Sequence, residues 1–125
     1  MAKKQTNAQL KKKLWVVFSK FIRNRDGGVC FTCGTGNHSG SDYHAGHFIP
    51  KASGGLALYF NEDNVHGQCA RCNLWMAGEQ YLYGKKLGDK KVKELYLLKQ
   101  QIVKDYPFQE KIDYYNGKLQ EIKNA

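Results

Sequence analysis

Residues 30–73 decide the fold: CFTCGTGNHSGSDYHAGHFIPKASGGLALYFNEDNVHGQCARCN. The four cysteines of the chain form two Cys-x-x-Cys pairs, Cys30/Cys33 and Cys69/Cys72, which 35 residues separate. Two such pairs can place four thiolates tetrahedrally around one zinc ion, and in an intracellular chain they are more often metal ligands than disulfides. Because four thiolates leave no open position on zinc, we predict a structural zinc and not a catalytic one.

The length of 125 residues suits a single domain, residues 1–125. We divide it into a basic N-terminal helix (1–26), a zinc-knuckle core (27–83) and C-terminal helices (84–125). Apolar spacing and turn residues predict helices over 8–24, 73–83, 89–105 and from 108 onward, strands near 29–32, 43–49 and 64–68, and a loop at 50–55. For Trp15 and Trp75 we favour core positions over base-stacking surfaces.

Positive charge is concentrated at the N-terminus. The chain has a net charge of +9, and residues 1–25 hold eight Lys or Arg and no acidic residue. Such a patch indicates a polyanion partner, because each neutralised phosphate releases counterions, although a solvated helix is the alternative. The residues expected to contact DNA are Lys11, Lys12, Lys13, Lys20, Arg23, Arg25 and, between the second pair of cysteines, Arg71.

No apolar run approaches the roughly 18–20 residues of a membrane span, and the basic N-terminus has no apolar stretch typical of a signal peptide. We therefore expect an intracellular protein without a membrane partner.

Histidine and asparagine side chains lie between and just after the cysteine pairs, in His44-Ala-Gly-His47, in Asn64-Val-His66 and at Asn73. Hydrolysis of a phosphodiester needs a base that activates water and a divalent cation that stabilises the transition-state charge. A neutral imidazole can be the base, and Asn73, directly after Cys72, can be a cation ligand at a position that the zinc knuckle fixes.

The order of Cys-x-x-Cys, His, Asn and Cys-x-x-Cys-Asn resembles the zinc-knuckled HNH (ββα-metal) nucleases and is similar to the recombination endonuclease VII group. The chain also resembles the phage NinG family, also called Rap, over roughly residues 18–120. The motifs that carry this resemblance are Phe21-Ile-Arg-x-Arg-Asp26, Cys30-x-x-Cys33-Gly34-Thr35, Ala45-Gly46-His47, Phe60-Asn61-Glu62, Asn64-x-His66-x-Gln68-Cys69, Cys72-Asn73 and the run at 88–95.

The resemblance implies an α+β fold, with a small ββα-metal core stabilised by zinc and flanked by N-terminal and C-terminal helices. It implies a metal-dependent DNA endonuclease that cuts branched recombination intermediates such as Holliday junctions and D-loops. A phage protein of this kind acts in the cytoplasm of the host bacterium. Because both strands of a junction are cut, we also expect a homodimer.

By the same resemblance His47 is the general base, Asn64 orients it, and Asn73 binds the catalytic cation, Mg²⁺ or Mn²⁺. His66 is a further catalytic candidate, with packing under the zinc site as its alternative. HNH proteins carry Asp directly before the catalytic His, where this chain has Gly46.

The second cation ligand is therefore predicted to be His44, with Asp42 in reserve, and imidazole favours a transition metal over magnesium. Two other functions stay open. One is a non-specific or restriction-like HNH nuclease, and the other is a non-catalytic zinc-stabilised module that binds DNA.

Overall fold

The structure is a computed structural model that describes residues 4–124. This part of the chain contains two short strands and six α-helices. The elements in chain order are α1 (Asn7–Asp26), β1 (Tyr43–His47), α2 (Lys51–Gly54), α3 (Leu56–Tyr59), β2 (Val65–Cys69), α4 (Gln80–Leu87), α5 (Asp89–Lys99) and α6 (Phe108–Asn124). This confirms the predicted α+β class, in which helices precede and follow a two-stranded sheet along the chain. Residues 1–3 and 125 of the predicted domain lie outside the described residues.

Helix α1 has defined signals at both ends. Thr6 and Gln9 form a capping box at its start, and Gly27 ends it in the left-handed conformation at φ 61°. One face is fully buried against α6 and the loop before β2, and it consists of Leu14, Phe18 and Ile22. Their spacing of four residues places them on one stripe of the helix, so α1 is docked on the domain.

The two strands form an antiparallel hairpin in which His44 lies opposite Gln68 and His47 lies opposite Val65. Cross-strand partners share a face of a sheet. His44 and Gln68 therefore face one side, and the residues of the 48–64 connection close over the end of the hairpin at His47. A second apolar cluster, formed by Phe48, Ile49, Leu58, Tyr83 and Leu95, holds this connection against α4 and α5.

Three predicted elements differ from the structure around the knuckles. Residues 29–32 form a turn and no strand, because the Gly34 N–H bonds back to the Cys30 carbonyl and closes the first knuckle. The predicted loop at 50–55 contains the one-turn helix α2.

The predicted helix over 73–83 is broken. A π-helical turn, Arg71–Trp75, is followed by Ala77, Gly78 and Glu79, all with positive φ, before α4 begins. The turn leaves Trp75 81% exposed, so its predicted core position is wrong. Trp15, in contrast, is half-buried and packs against the core.

The C-terminal helices differ from the prediction only in their ends. Helix α5 stops at Lys99 and not at residue 105, which leaves Ile102 88% exposed. Within residues 4–124, no helix combines the length and apolarity that crossing a bilayer requires.

Candidate functional site

The four cysteines converge, as their spacing predicts. Their Sγ atoms all lie within 4.8 Å of one another, and the sulfurs of Cys33 and Cys69 are 3.9 Å apart. Four thiolates about 2.3 Å from a tetrahedral zinc are roughly 3.8 Å from each other. The cluster therefore has the dimensions to hold a zinc ion with a closed shell of sulfur ligands, and the four cysteines are free and not disulfide-bonded.

A hydrogen-bonded chain surrounds the first knuckle. The Thr35 hydroxyl lies 3.1 Å from the Cys33 sulfur and 2.7 Å from His38 Nε2, and His38 Nδ1 bonds to Asp42. The His38 side chain is only 16% exposed. Asp42, the reserve cation ligand, is thus bound to His38 and supports the knuckle.

The free edge of β2 is held by the end of α1. Arg25 donates to the carbonyls of Glu62 and Val65 at 3.0 and 2.9 Å, and it forms a bidentate pair with Asp26. Asp26 accepts the Gly67 N–H at 2.7 Å. The Arg25 guanidinium is therefore engaged within the fold, and we leave this residue out of the DNA surface for which it was predicted.

His47 is a half-buried imidazole at the end of β1. Burial lowers the pKa of His47 to about 4, although the bond to the Tyr59 carbonyl opposes this shift. Because a carbonyl only accepts, the 2.8 Å contact with Tyr59 places the proton on Nε2 and leaves Nδ1 as the basic nitrogen. Trp15 stacks on the imidazole at a centroid distance of 5.2 Å.

Asn64 fixes the connection that carries this carbonyl. Its side chain is fully buried, its Oδ1 accepts from the Ile49 N–H at 2.8 Å, and its amide donates to the carbonyls of Ile49 and Leu58 at 3.1 and 3.0 Å. Tyr59 directly follows Leu58. Asn64 therefore holds the backbone beside the Tyr59 carbonyl that His47 contacts, and its side chain makes no hydrogen bond to the imidazole.

His44 and Asn73 meet in the structure. The Asn73 amide nitrogen lies 2.9 Å from His44 Nδ1, and His44 Nε2 is bonded to the Ser41 carbonyl at 2.9 Å. Nε2 therefore carries the proton, and Nδ1 of His44 is a lone-pair donor.

The position before His47 has no room for a side chain. A Cβ on Gly46 would lie 1.8 Å from Gln68 Oε1 and 2.9 Å from Asn73 Oδ1. An aspartate at this position would therefore clash unless the Gln68 and Asn73 side chains moved, and glycine fits without such a shift.

Gln68 carries the one buried side-chain polar atom without a partner in residues 4–124, its Oε1. Its amide nitrogen is bonded to Thr32 and to the Gly78 carbonyl, which fixes the orientation of the amide. A half-turn of the Asn73 amide would point an N–H towards Gln68 Oε1 and the Asn73 oxygen towards His44 Nδ1.

The two lone-pair donors would then be about 3 Å apart, the separation of neighbouring ligands of an octahedral cation at about 2.1 Å. With the Asn73 amide turned in this way, His44 and Asn73 could contribute two of the ligands of a divalent cation. No carboxylate belongs to this pair, so the donor set favours a transition metal over magnesium.

His47 and Asn73 line one open cleft of about 380 Å³, together with Lys51, which the sequence did not single out. The Lys51 ammonium lies 4.2 Å from the centroid of Trp15, and Lys11 lies 4.4 Å from that of Tyr59. Burial and then the Lys11 charge lower the pKa of Lys51. The cleft thus brings together the His47 imidazole, the Asn73 amide and the Lys51 ammonium, with no acidic residue in its lining. His44 is not part of this lining and adjoins it through its contact with Asn73.

His66 lies elsewhere. It stacks on Phe31 at a centroid distance of 4.0 Å, and its Nδ1 is 3.0 Å from the Tyr83 hydroxyl. Burial, and after it the Arg25 charge, lower the pKa of His66 to about 4. His66 is absent from the lining of the cleft, and its contacts match the packing alternative.

The other basic residues of α1 lie in different places on the surface. Lys11 flanks the cleft, Lys12 and Lys13 are exposed on the helix, and Lys20 and Arg23 line a separate hollow of about 360 Å³. Arg71 is exposed between the second pair of cysteines.

Comparison with known proteins identifies the family. The family model described as Bacteriophage Lambda NinG protein matches residues 1–125. Protein ninG of Escherichia phage lambda is 39% identical over 64 residues, which cover 50% of this chain and 30% of that protein. No solved structure is significantly similar to the chain. The chain belongs to the NinG family.

Proposed function

We propose that this protein is a metal-dependent DNA endonuclease of the HNH type that cuts branched recombination intermediates. The observation that carries the proposal is the cleft, in which a neutral His47 with a basic Nδ1 lies beside the cation ligand Asn73 and the ammonium of Lys51. The family resemblance stated above supports the branched substrate. In this proposal the hairpin and the π-helical turn after it correspond to the ββα-metal core of HNH nucleases.

In this mechanism His47 Nδ1 accepts the proton of the attacking water, and the Tyr59 carbonyl holds the imidazole in the required tautomer. Lys51 binds a non-bridging oxygen of the scissile phosphate. His44 and Asn73 would hold the divalent cation, and a bound cation would supply stabilisation of the charge on the phosphate and on the leaving 3′ oxygen. The zinc knuckle has a structural role.

The test is cleavage of a labelled four-way junction beside a linear duplex of the same sequence, with Mg²⁺ or Mn²⁺. We expect the wild type to cut the junction faster and His47→Ala to lose cutting by at least about a hundredfold, the lower range for a general base. His66→Ala is the matched control, since it removes a buried imidazole outside the cleft, and its folded fraction is checked by denaturation.

Each alternative has its own result. Equal cutting of junction and duplex would favour a non-specific HNH nuclease. DNA binding without cleavage under either cation would favour the zinc-stabilised binding module, which the missing aspartate at position 46 supports. A dimer is proposed for the paired cuts, and light scattering that gives a monomer both free and on DNA would refute it.

A further inference from the structure

The stretch from the second knuckle to the first turn of α4 presents apolar side chains to solvent. Trp75 is 81% exposed, Tyr81 79% and Leu74 63%, and Met76 is also exposed. Tryptophan and tyrosine rings usually bury most of their area in a fold. Aromatic rings left this exposed in a strongly basic protein indicate a ligand that covers them.

The backbone holds these side chains in place. The Gly78 N–H bonds to the Cys72 carbonyl at 2.8 Å, and the buried Gln68 amide bonds to the Gly78 carbonyl at 3.0 Å. Between them, Ala77 and Glu79 adopt positive φ values of 51° and 53°, which side chains with a Cβ rarely accept. Strained backbone of this kind persists where the surroundings over-determine it, so Trp75 stands on a fixed turn and not on a loose loop.

The turn is also part of the candidate cleft. Asn73, Ala77, Gly78 and Gln80 line the cleft, so Trp75 lies within the lining segment and Tyr81 directly follows it. In residues 4–124 no aromatic ring packs on Trp75, and the Tyr81 ring has the Lys85 ammonium 5.4 Å from its centroid.

Charge complementarity selects the occupant. Residues 71–86 carry the exposed cations Arg71, Lys85 and Lys86, of which Lys85 lies near the Tyr81 ring, and Glu79 is the single acid of this stretch. The cleft itself adds Lys51 and no acid. Aromatic rings among cations bind single-stranded nucleic acid, because every base has a face that stacks and every phosphate needs a counter-charge.

We propose that Trp75 and Tyr81 form a stacking surface for unpaired nucleobases at the branch point of DNA. This surface would hold the strands apart beside the cleft and so distinguish branched from fully paired DNA. The inference rests on the proposed function in taking DNA as the ligand, but it does not depend on cleavage.

The experiment measures binding of the full chain to three fluorescent DNAs, a single strand, a fork with unpaired arms and a fully paired duplex. No divalent cation is added beyond the bound zinc, so cleavage plays no part. We expect Trp75→Ala to weaken binding of the fork and the single strand by about fivefold to a hundredfold, with less than about twofold change on duplex. Trp75→Phe should keep most of the affinity, and the salt dependence should be unchanged because no cation is removed.

Ile102→Ala is the matched control, since this 88% exposed apolar side chain lies outside the cleft lining. A second readout is 2-aminopurine at the fork junction, whose fluorescence should be quenched by the wild type and less by Trp75→Ala.

Equal losses on fork and duplex, or no loss at all, would overturn the stacking surface, as would a protein that binds no DNA. A change of oligomeric state in Trp75→Ala would also overturn it, because a second copy would then cover the patch. Fork-specific loss in a protein that cuts nothing would support this inference and refute the nuclease.

Discussion

Replacing Asn64 by alanine tests whether a buried amide positions the general base through the backbone. The substitution would leave the Ile49 N–H and the carbonyls of Ile49 and Leu58 unpaired in a site that is fully buried. Each buried group left without a partner costs about 1–3 kcal/mol, so we expect a loss of about 3–6 kcal/mol in the free energy of unfolding after partial relaxation. That is a large part of the roughly 5–15 kcal/mol that stabilises a domain.

The effect on His47 is the sharper part of this prediction. If the connection shifts, water enters and relieves the burial that lowers the pKa of His47, while loss of the Tyr59 bond acts in the opposite direction. Because burial is the larger of the two effects, the pKa rises from about 4 towards its ordinary 6.5. NMR titration of the imidazole follows the pKa, and urea denaturation follows the stability. Both are measured at low temperature so that the variant stays folded.

Asn61→Ala is the control, since Asn61 lies in the same connection, but its Oδ1 accepts only the local N–H groups of Asp63 and Asn64. We expect it to cost about 1 kcal/mol and to leave the pKa of His47 unchanged. The reasoning fails if Asn64→Ala costs no more than Asn61→Ala, or if the pKa of His47 stays near 4 in the folded Asn64 variant.

Four further predictions concern the imidazoles, the zinc site and two basic residues. Burial lowers the pKa values of His47 and His66 to about 4, so the unfolded chain binds more protons than the folded protein below pH 6.5. The free energy of unfolding should therefore fall as the pH drops from about 6.5 to about 4, by up to about 3 kcal/mol for each imidazole, and urea denaturation measures it. Cys72→Ser should reduce bound zinc, measured by atomic absorption, and should lower both stability and junction binding. Arg25→Lys should lower stability by about 1–3 kcal/mol, while Lys51→Gln should lower the cleavage rate with little change in stability, measured by denaturation and single-turnover cleavage.

Each of these predictions has a contradicting result, which for Lys51→Gln is an unchanged cleavage rate. A stability that is flat between pH 6.5 and 4 would mean that the two imidazoles are solvated. Full zinc occupancy in Cys72→Ser would place the ion elsewhere. If Arg25→Lys changes junction affinity but not stability, the Arg25 guanidinium contacts DNA as the sequence predicted. Its hydrogen bonds to the carbonyls of Glu62 and Val65 would then not be needed for stability.

How much the sequence predicts depends on the range of the interaction. The spacing of the cysteine pairs predicted a cluster that the structure confirms, because a Cys-x-x-Cys knuckle is a local geometry. The position of Asn73 directly after Cys72 likewise placed it near the first strand. Pairing between distant segments is not readable in this way, so the engagement of Arg25 and the isolated oxygen of Gln68 appear only in three dimensions.

Lys51 and Trp75 were missed for a related reason. Lys51 enters the cleft because a one-turn helix forms where turn residues predicted a loop, and its partner Trp15 comes from α1. Trp75 was predicted to lie in the core on a helix over residues 73–83, and that prediction assumes continuous α-helical geometry. The π-helical turn and the three residues with positive φ after it interrupt the helix and rotate the Trp75 side chain out to solvent. Local residue propensities do not predict this interruption.

The second knuckle connects the candidate zinc site to the proposed chemistry. Cys72 is followed by Asn73, the proposed cation ligand, and the Cys72 carbonyl anchors the turn that carries Trp75. The apolar cores contain none of the cysteines: α1 packs on α6, and α4 packs with α5. Loss of zinc is therefore expected to disorganise the cleft and the stacking surface more than the helices. For that reason helical content alone cannot report whether the site is intact, whereas the pKa of His47 and binding to a fork can.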